Sequence, residues 1–283
     1  MTSFTFQHGL GDCIHFCFLA QLYLKRNIPF DVEPARDKRW LFEACGVPIA
    51  LQDASPGPRA NHTWRGPEVA GGVPLWYANK TGYHLFDPRP LPPLAQDVEQ
   101  MEALWQELLA VRIDVRDKVR NKPSLPPGYI LTHTRGHSLA EKKNIYEHEG
   151  ELFRTLLDEG KTVVHLDWDG LTTFTGERFV NICRFGPVDL EGLVGLIYGA
   201  EGMVCVDSGP GHLARLNFDL PTVQVWTKLP PHCFALPRPN LTAVTDTANP
   251  TAPSPHEFNR LKVEQLSGRN IAITLLNLIE ADK

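Results

Sequence analysis

The chain has 283 residues, enough for one large α/β domain or two domains of about 100–200 residues each. Hydrophobic residues make up 42 % and charged residues 22 %, the proportions of an ordinary globular protein. The formal net charge of −5 argues against non-specific binding to polyanions, while a local basic cleft stays open.

Met1 to Asp12 has neither a basic start nor an apolar core, so no signal peptide is read there. The longest apolar stretch, Cys13 to Leu24, is broken by His15 and Gln21 and is too short to span a bilayer. A cytoplasmic location is the expectation, with peripheral membrane contact left open. Six cysteines occur without a C-x-x-C pair, so they read as small buried hydrophobes rather than metal ligands.

In chain order, Ser3 to Gln7 alternates and reads as a strand. His8 to Gly11 is a turn, and Asp12 is positioned to cap a helix from Cys13 to about Lys25. Ile28 to Val32 reads as a second strand, Lys38 to Ala44 as a short helix and Val47 to Leu51 as a third strand. This order predicts a parallel sheet covered by helices. Asp53 to Gly72 reads as a long loop, Gly82 to Phe86 as a strand and Val98 to about Lys118 as a helix. Lys122 to Gly128, with three prolines, is the best linker candidate.

A second α/β pattern then starts with a strand at Tyr129 to His133. It continues with a helix at Tyr146 to Asp158 closed by Gly160, and a strand at Thr162 to Leu166. A helix at Leu190 to Tyr198, a strand at Met203 to Val206, a helix at Gly211 to Asn217 and a strand at Thr222 to Trp226 follow. A final helix lies within Val263 to Glu280. The expected fold is α/β with two Rossmann-like lobes, residues 1–122 and 123–283, and the last helix is a candidate to pack back on the first lobe.

Three segments carry chemistry. In His8-Gly-Leu-Gly-Asp12, Gly9 and Gly11 let a ligand approach a helix start, whose N–H groups and dipole suit an anion. The pattern is not a full G-x-G-x-x-G, because position 14 is Ile, and Asp12 as a plain helix cap is the competing reading. In Thr132-His-Thr-Arg-Gly-His-Ser138 with Lys142-Lys-Asn144, hydroxyls, a turn and a lysine can converge on phosphate oxygens, against the plainer reading of a polar surface loop. In Val204-Cys-Val-Asp-Ser-Gly-Pro-Gly-His-Leu-Ala214, an apolar strand ends in Asp207, Ser208 and Gly209 and a helix starts at once. That arrangement suits a diphosphate at the carboxyl end of a parallel sheet, against a tight packing turn with His212 in the core. A hydrolase built on Ser208 and His212 lacks G-x-S-x-G and an orienting acid.

Together these segments resemble the family 9 glycosyltransferases, the ADP-heptose:lipopolysaccharide heptosyltransferases and their relatives. The residues that carry the resemblance are Gly9-Leu-Gly-Asp12, Thr134-Arg-Gly136 with Lys143-Asn144, Asp207 to Ala214, and Pro221-Thr222. The resemblance implies a GT-B fold and inverting, metal-independent transfer from a nucleoside-diphosphate sugar, with no cofactor. It implies Asp12 as the general base, and Thr134, Arg135, Lys143, Ser208, Gly209 and His212 as the holders of the donor diphosphate, supported by Gly9, Gly11 and Asp207. Asp167 and Asp169 follow a second-lobe strand, where such folds meet the nucleoside, although two solvated loop carboxylates fit the same pattern.

The middle of the chain departs from the family, so the acceptor is open: a saccharide, another hydroxyl-bearing molecule or a modified nucleobase. The donor base and sugar, the oligomeric state and the choice between Lys142 and Lys143 are open too. Two other functions stay in play: another GT-B enzyme such as a nucleotide-sugar epimerase or hydrolase, and a non-catalytic nucleotide-binding module.

Overall fold

A computed structural model describes the chain except residues 1, 7–8, 51–59, 62–67, 70–72, 75–90, 93, 95–97, 122, 137–145, 227–237, 239, 246–261, 264–265 and 283. The first part contains strands β1 (Thr2–Phe6) and β2 (Phe30–Pro34), helices α1 (Leu10–Lys25) and α2 (Arg39–Ala44), and three two-residue strands. These short strands are β3 (Ala60–Asn61), β4 (Glu68–Val69) and β5 (Val73–Pro74). Helix α3 (Val98–Ala110) follows. The second part runs β6 (Tyr129–His133), α4 (Glu149–Asp158), β7 (Val163–His165), β8 (Phe179–Asn181), α5 (Leu190–Gly199), β9 (Ala200–Val206), α6 (Gly209–Leu213), β10 (Thr222–Trp226), β11 (Leu241–Thr245), β12 (Lys262–Val263) and α7 (Gly268–Ala281).

Two parallel sheets result. The first has the order β2-β1-β3, and the second has seven strands in the order β12-β11-β10-β9-β6-β7-β8. Counted from β6, the second sheet runs 3-2-1-4-5-6 with one strand added, the doubly wound Rossmann order. Its strand order reverses between β6 and β9, and ligands of such sheets bind at the carboxyl ends of the strands flanking that reversal.

The faces of the second sheet are covered on both sides, so β6 and β10 are buried along their whole length and β9 along most of it. Leu131, Val164, Met203 and Cys205 point into one core, while Ile130, Val163, Val204 and Val223 point into the other. The first core continues without a break into the first sheet, through Phe6, Phe16, Phe30 and Phe42. Helix α1 makes that continuity possible. Every residue from Cys13 to Ala20 is buried, so the helix presents no solvent face. One side packs under β1, where the Phe6 and Phe16 rings lie 4.9 Å apart, and another side packs on α6.

Several expectations need correction. Asp12 is not the helix cap, since α1 starts at Leu10 with Gly9 in extended geometry before it, and Asp12 lies in the first turn. Val47 to Leu51 is not a full strand. Ile49 makes only an isolated parallel bridge to Val32, because Pro48 offers a carbonyl but no N–H. Helix α3 stops at Ala110 rather than Lys118, where β-branched Val111, Ile113 and Val115 disfavour helix and Asp114 takes both the backbone N–H and the guanidinium of Arg116.

The linker candidate is anchored at its start: a Cβ on Gly195 of α5 would sit 3.4 Å from both the Asn121 carbonyl and the Pro123 ring. Within the expected long loop, Ala60 and Asn61 pair with β1, and Glu68 and Val69 pair with β5. The expected strand at Gly82 to Phe86 lies outside the described residues. The final helix does not return to the first lobe among the described residues. Ile271, Leu275 and Ile279 pack instead with Phe153 of α4 and Val204 of β9 in the second core. Gly160 has the left-handed φ of +79° that closes α4.

Candidate functional site

The two glycine-bearing turns that open on α1 and α6 meet. A Cβ on Gly209 would stand 2.7 Å from the Leu10 Cβ, and one on Gly11 would stand 2.9 Å from the His212 ring. Both glycines are therefore required by close approach: the starts of the two helices touch where any side chain would hold them apart. Gly211 has a similar reason, because its Cβ would lie 2.8 Å from the Cys205 sulfur and 3.1 Å from the Val206 carbonyl.

Ser208 is the N-cap of α6, its Oγ accepting from the Gly211 N–H at 3.4 Å and donating to the Val206 carbonyl at 3.1 Å. The same hydroxyl lies 2.9 Å from His133 Nδ1, a hydrogen bond whose donor is set by the imidazole tautomer. That bond crosses the switch point, joining the carboxyl end of β6 to the turn after β9. Beside it the Trp168 ring stands edge-on to His133 at 5.1 Å, 41 % exposed.

His212 is held at both ring nitrogens. Nε2 lies 2.9 Å from Asp207 Oδ1 and Nδ1 lies 3.2 Å from His15 Nε2. The carboxylate accepts, so Nε2 carries a proton; in the neutral ring Nδ1 then accepts from His15. His15 is one turn beyond Asp12 on α1, so this chain of contacts runs from the second sheet to the helix that carries Asp12. Asp12 itself is half-buried, with Oδ2 3.5 Å from where a Gly9 Cβ would be. Gly9 is exposed and leaves that side open.

After β6, Thr134 is buried, and its hydroxyl donates to Glu149 Oε2 at 2.5 Å. Arg135 Nη2 bonds the other oxygen of the same carboxylate at 2.6 Å. Arg135 Nε is buried without a partner among the described residues, a donor still to be matched. Lys142 and Lys143 lie outside the described residues.

Asp167 is buried and accepts from the Leu171 N–H at 3.2 Å, the Thr172 N–H at 2.9 Å and Asn181 Nδ2 at 3.2 Å. Burial pushes its pKa up, but those donors outweigh burial and hold the carboxyl below its usual value. Its oxygens thus fix the loop that carries Trp168. Asp169 is exposed.

The structure therefore gathers Gly9, Gly11, Asp12, Asp207, Ser208, Gly209 and His212 at one contact, with Thr134 and Arg135 next to it across the His133–Ser208 bond. Sequence reasoning did not single out His15, His133 or Trp168. His133 was legible as the last residue of a central strand, whereas His15 sits mid-helix in an apolar run and nothing local marks it.

Fold and site together define a two-sheet α/β protein whose two glycine-bearing turns meet beside the switch point of its second sheet. Residues 158–264 match the model of glycosyltransferase family 9 (heptosyltransferase), a span that includes the Asp207–His212 turn. The likeness to that family read from the sequence is thus found in the second half of the chain.

The fold is that of GT-B heptosyltransferases. It superposes on E. coli heptosyltransferase WaaC with ADP at a TM-score of 0.54 and 17 % identity, covering 100 % of this chain and 99 % of that one. E. coli ADP-heptose lipopolysaccharide heptosyltransferase II gives 0.63 and 16 %, covering 99 % of each chain. The dodecameric iron-containing heptosyltransferase TibC from E. coli gives 0.59 and 13 %, covering 100 % of this chain and 76 % of that one. No curated protein matches the sequence. The family match over residues 158–264 supports glycosyltransferase activity. Among the described residues no helix is long and apolar enough to cross a membrane.

Proposed function

We propose that the protein transfers a sugar from a nucleoside diphosphate, bound at the switch point of the second sheet, to an acceptor hydroxyl presented near Asp12. The observation that carries this reading is the meeting of the Gly9–Asp12 turn with the Ser208–His212 turn, beside the His133–Ser208 bond. A donor there would have its diphosphate near the Ser208 and Gly209 turn and the unmatched Arg135 Nε. These cationic and N–H groups meet the negative charge that grows on a departing diphosphate.

Asp12 would take the proton of the acceptor hydroxyl while that oxygen bonds the anomeric carbon. The carbon–oxygen bond to phosphate breaks, and the electron pair leaves with the diphosphate. With base and leaving group on opposite sides of the sugar, the configuration inverts. His212, engaged at both nitrogens, serves this site by holding α6 against α1. Residues 1–122 would form the acceptor lobe and residues 123–283 the donor lobe. The reading includes metal-independence, in contrast to the iron-containing TibC.

A thermal-shift panel of ADP, GDP, UDP, CDP and dTDP, each with Mg²⁺ and with EDTA, is the first test. One selective shift that survives EDTA supports the reading, and no shift with any of them sinks it. Asp12→Asn is then expected to abolish transfer and keep nucleotide binding, so unchanged turnover would overturn the base assignment. Donor incubated without acceptor should stay intact; an epimerised or hydrolysed sugar would favour the competing GT-B chemistries.

A further inference from the structure

Beside the α6 turn lies a cavity lined by His15, Gly211, His212, Arg215, Gln224, Arg238 and Leu241. Its volume is about 10 Å³, room for one water-sized particle. Two of its walls are arginines, 3 % and 8 % exposed.

Arg238 satisfies itself on oxygen atoms of the chain: the Ala214 carbonyl, the Asn217 carbonyl at 3.1 Å and the Thr222 hydroxyl. Arg215 does not. Its Nη2 donates to the Leu108 carbonyl at 2.7 Å and its guanidinium lies 4.3 Å from the Phe18 ring, but among the described residues Nε and Nη1 have no partner. Gln224 Nε2, buried in the wall, has none either. Neither arginine forms an ion pair among the described residues; Arg215 lies in the fields of Arg238 and Arg112, and Arg238 in that of the Asp219 carboxylate. Burial drives the Arg215 pKa down to about 9 and that of Arg238 down to about 10, with the Arg238 charge adding to the effect on Arg215.

Arg215 is the cation with no carboxylate acting on it, and burying such a charge is costly; a buried donor without an acceptor adds to that cost. The cavity also has an imbalance of kind. Its unmatched side-chain atoms are all N–H donors. A water would accept from two of them but bring two protons of its own, for which the wall has no unmatched side-chain acceptor. A guest that only accepts, carries negative charge and is the size of one atom meets every requirement.

We propose that this cavity is a binding site for one monatomic anion, a halide such as chloride, held by Arg215 Nε and Nη1 and by Gln224 Nε2. Its place fixes its effect. The wall includes Gly211 and His212, so the ion braces the α6 turn against α1.

The test uses the full chain. Thermal unfolding is followed at constant ionic strength while chloride or bromide replaces gluconate, which is too large to enter. A saturable rise of about 5 °C is expected for either halide. Gln224→Met, which keeps volume and removes the amide, should lose most of that rise while staying folded in gluconate. Arg215→Lys should weaken it at least tenfold in halide concentration at half-effect. Crystals grown in bromide should show one anomalous peak in the cavity. Equal melting curves in all salts, or a cavity holding only water in bromide, would overturn the proposal.

Discussion

Ser208→Ala is the most informative single change, because one hydroxyl oxygen serves three partners. The N-cap bond to Gly211 is worth about 1 kcal/mol. His133 loses its Ser208 partner in a buried setting, at about 1–2 kcal/mol. The bond to the Val206 carbonyl, between neutral groups, contributes about 1 kcal/mol or less net. The expected total is about 2–4 kcal/mol, seen in urea denaturation with an unchanged slope and in a melting temperature about 5–10 °C lower. His133→Phe supplies the control. In that background Ser208→Ala should cost only the cap, about 1 kcal/mol, so the cycle should show coupling of about 1–2 kcal/mol. A Ser208→Ala cost below about 0.5 kcal/mol, or the same cost in both backgrounds, would refute the three-partner account.

Other changes probe other parts of the argument. Gly211→Ala places a Cβ 2.8 Å from the Cys205 sulfur, and the overpacking should cost about 1–3 kcal/mol by denaturation; Cys205→Ala in the same chain should restore part of it. His165 is buried between the rings of Phe153 and Phe179, at 4.9 and 5.9 Å, and burial pushes its pKa down to about 4. A histidine held neutral contributes fully above its unfolded pKa of about 6.5, and that stability is lost as pH falls from there toward 4. The loss should approach about 3 kcal/mol and should vanish in His165→Phe, measured as the slope of unfolding free energy against pH. Asp167, with its pKa depressed, adds stability above about pH 4 that is lost on further acidification, so Asp167→Asn should flatten the acid limb below the His165 window. Asp207→Asn turns the acceptor facing His212 into an amide and should loosen the α1–α6 contact, read as faster hydrogen exchange in the first turn of α1.

Much was legible from the sequence because it is written in local physics. Short, largely apolar runs bounded by turn residues at Tyr129–His133 and Thr222–Trp226 mark buried parallel strands. Gly160 marks a helix end, and a polar turn after an apolar strand at Asp207–Ser208 marks the carboxyl edge of a sheet. The strands Phe179–Asn181, Leu241–Thr245 and Lys262–Val263 went unread because they are short or carry polar residues, and their pairing depends on partners far along the chain.

The sequence alone determined the fold class, the three chemistry-bearing segments and their order, since glycine spacing, strand period and capping residues act within a few positions of themselves. Only the tertiary structure decided that Gly9–Asp12 and Ser208–His212 abut, that His15 reaches His212 across nearly two hundred residues, and that Asp167 is occupied by its own loop. Those facts follow from how a fully buried α1 seats between two sheets, and a helix buried on every side carries no amphipathic stripe to reveal which neighbour each face will meet.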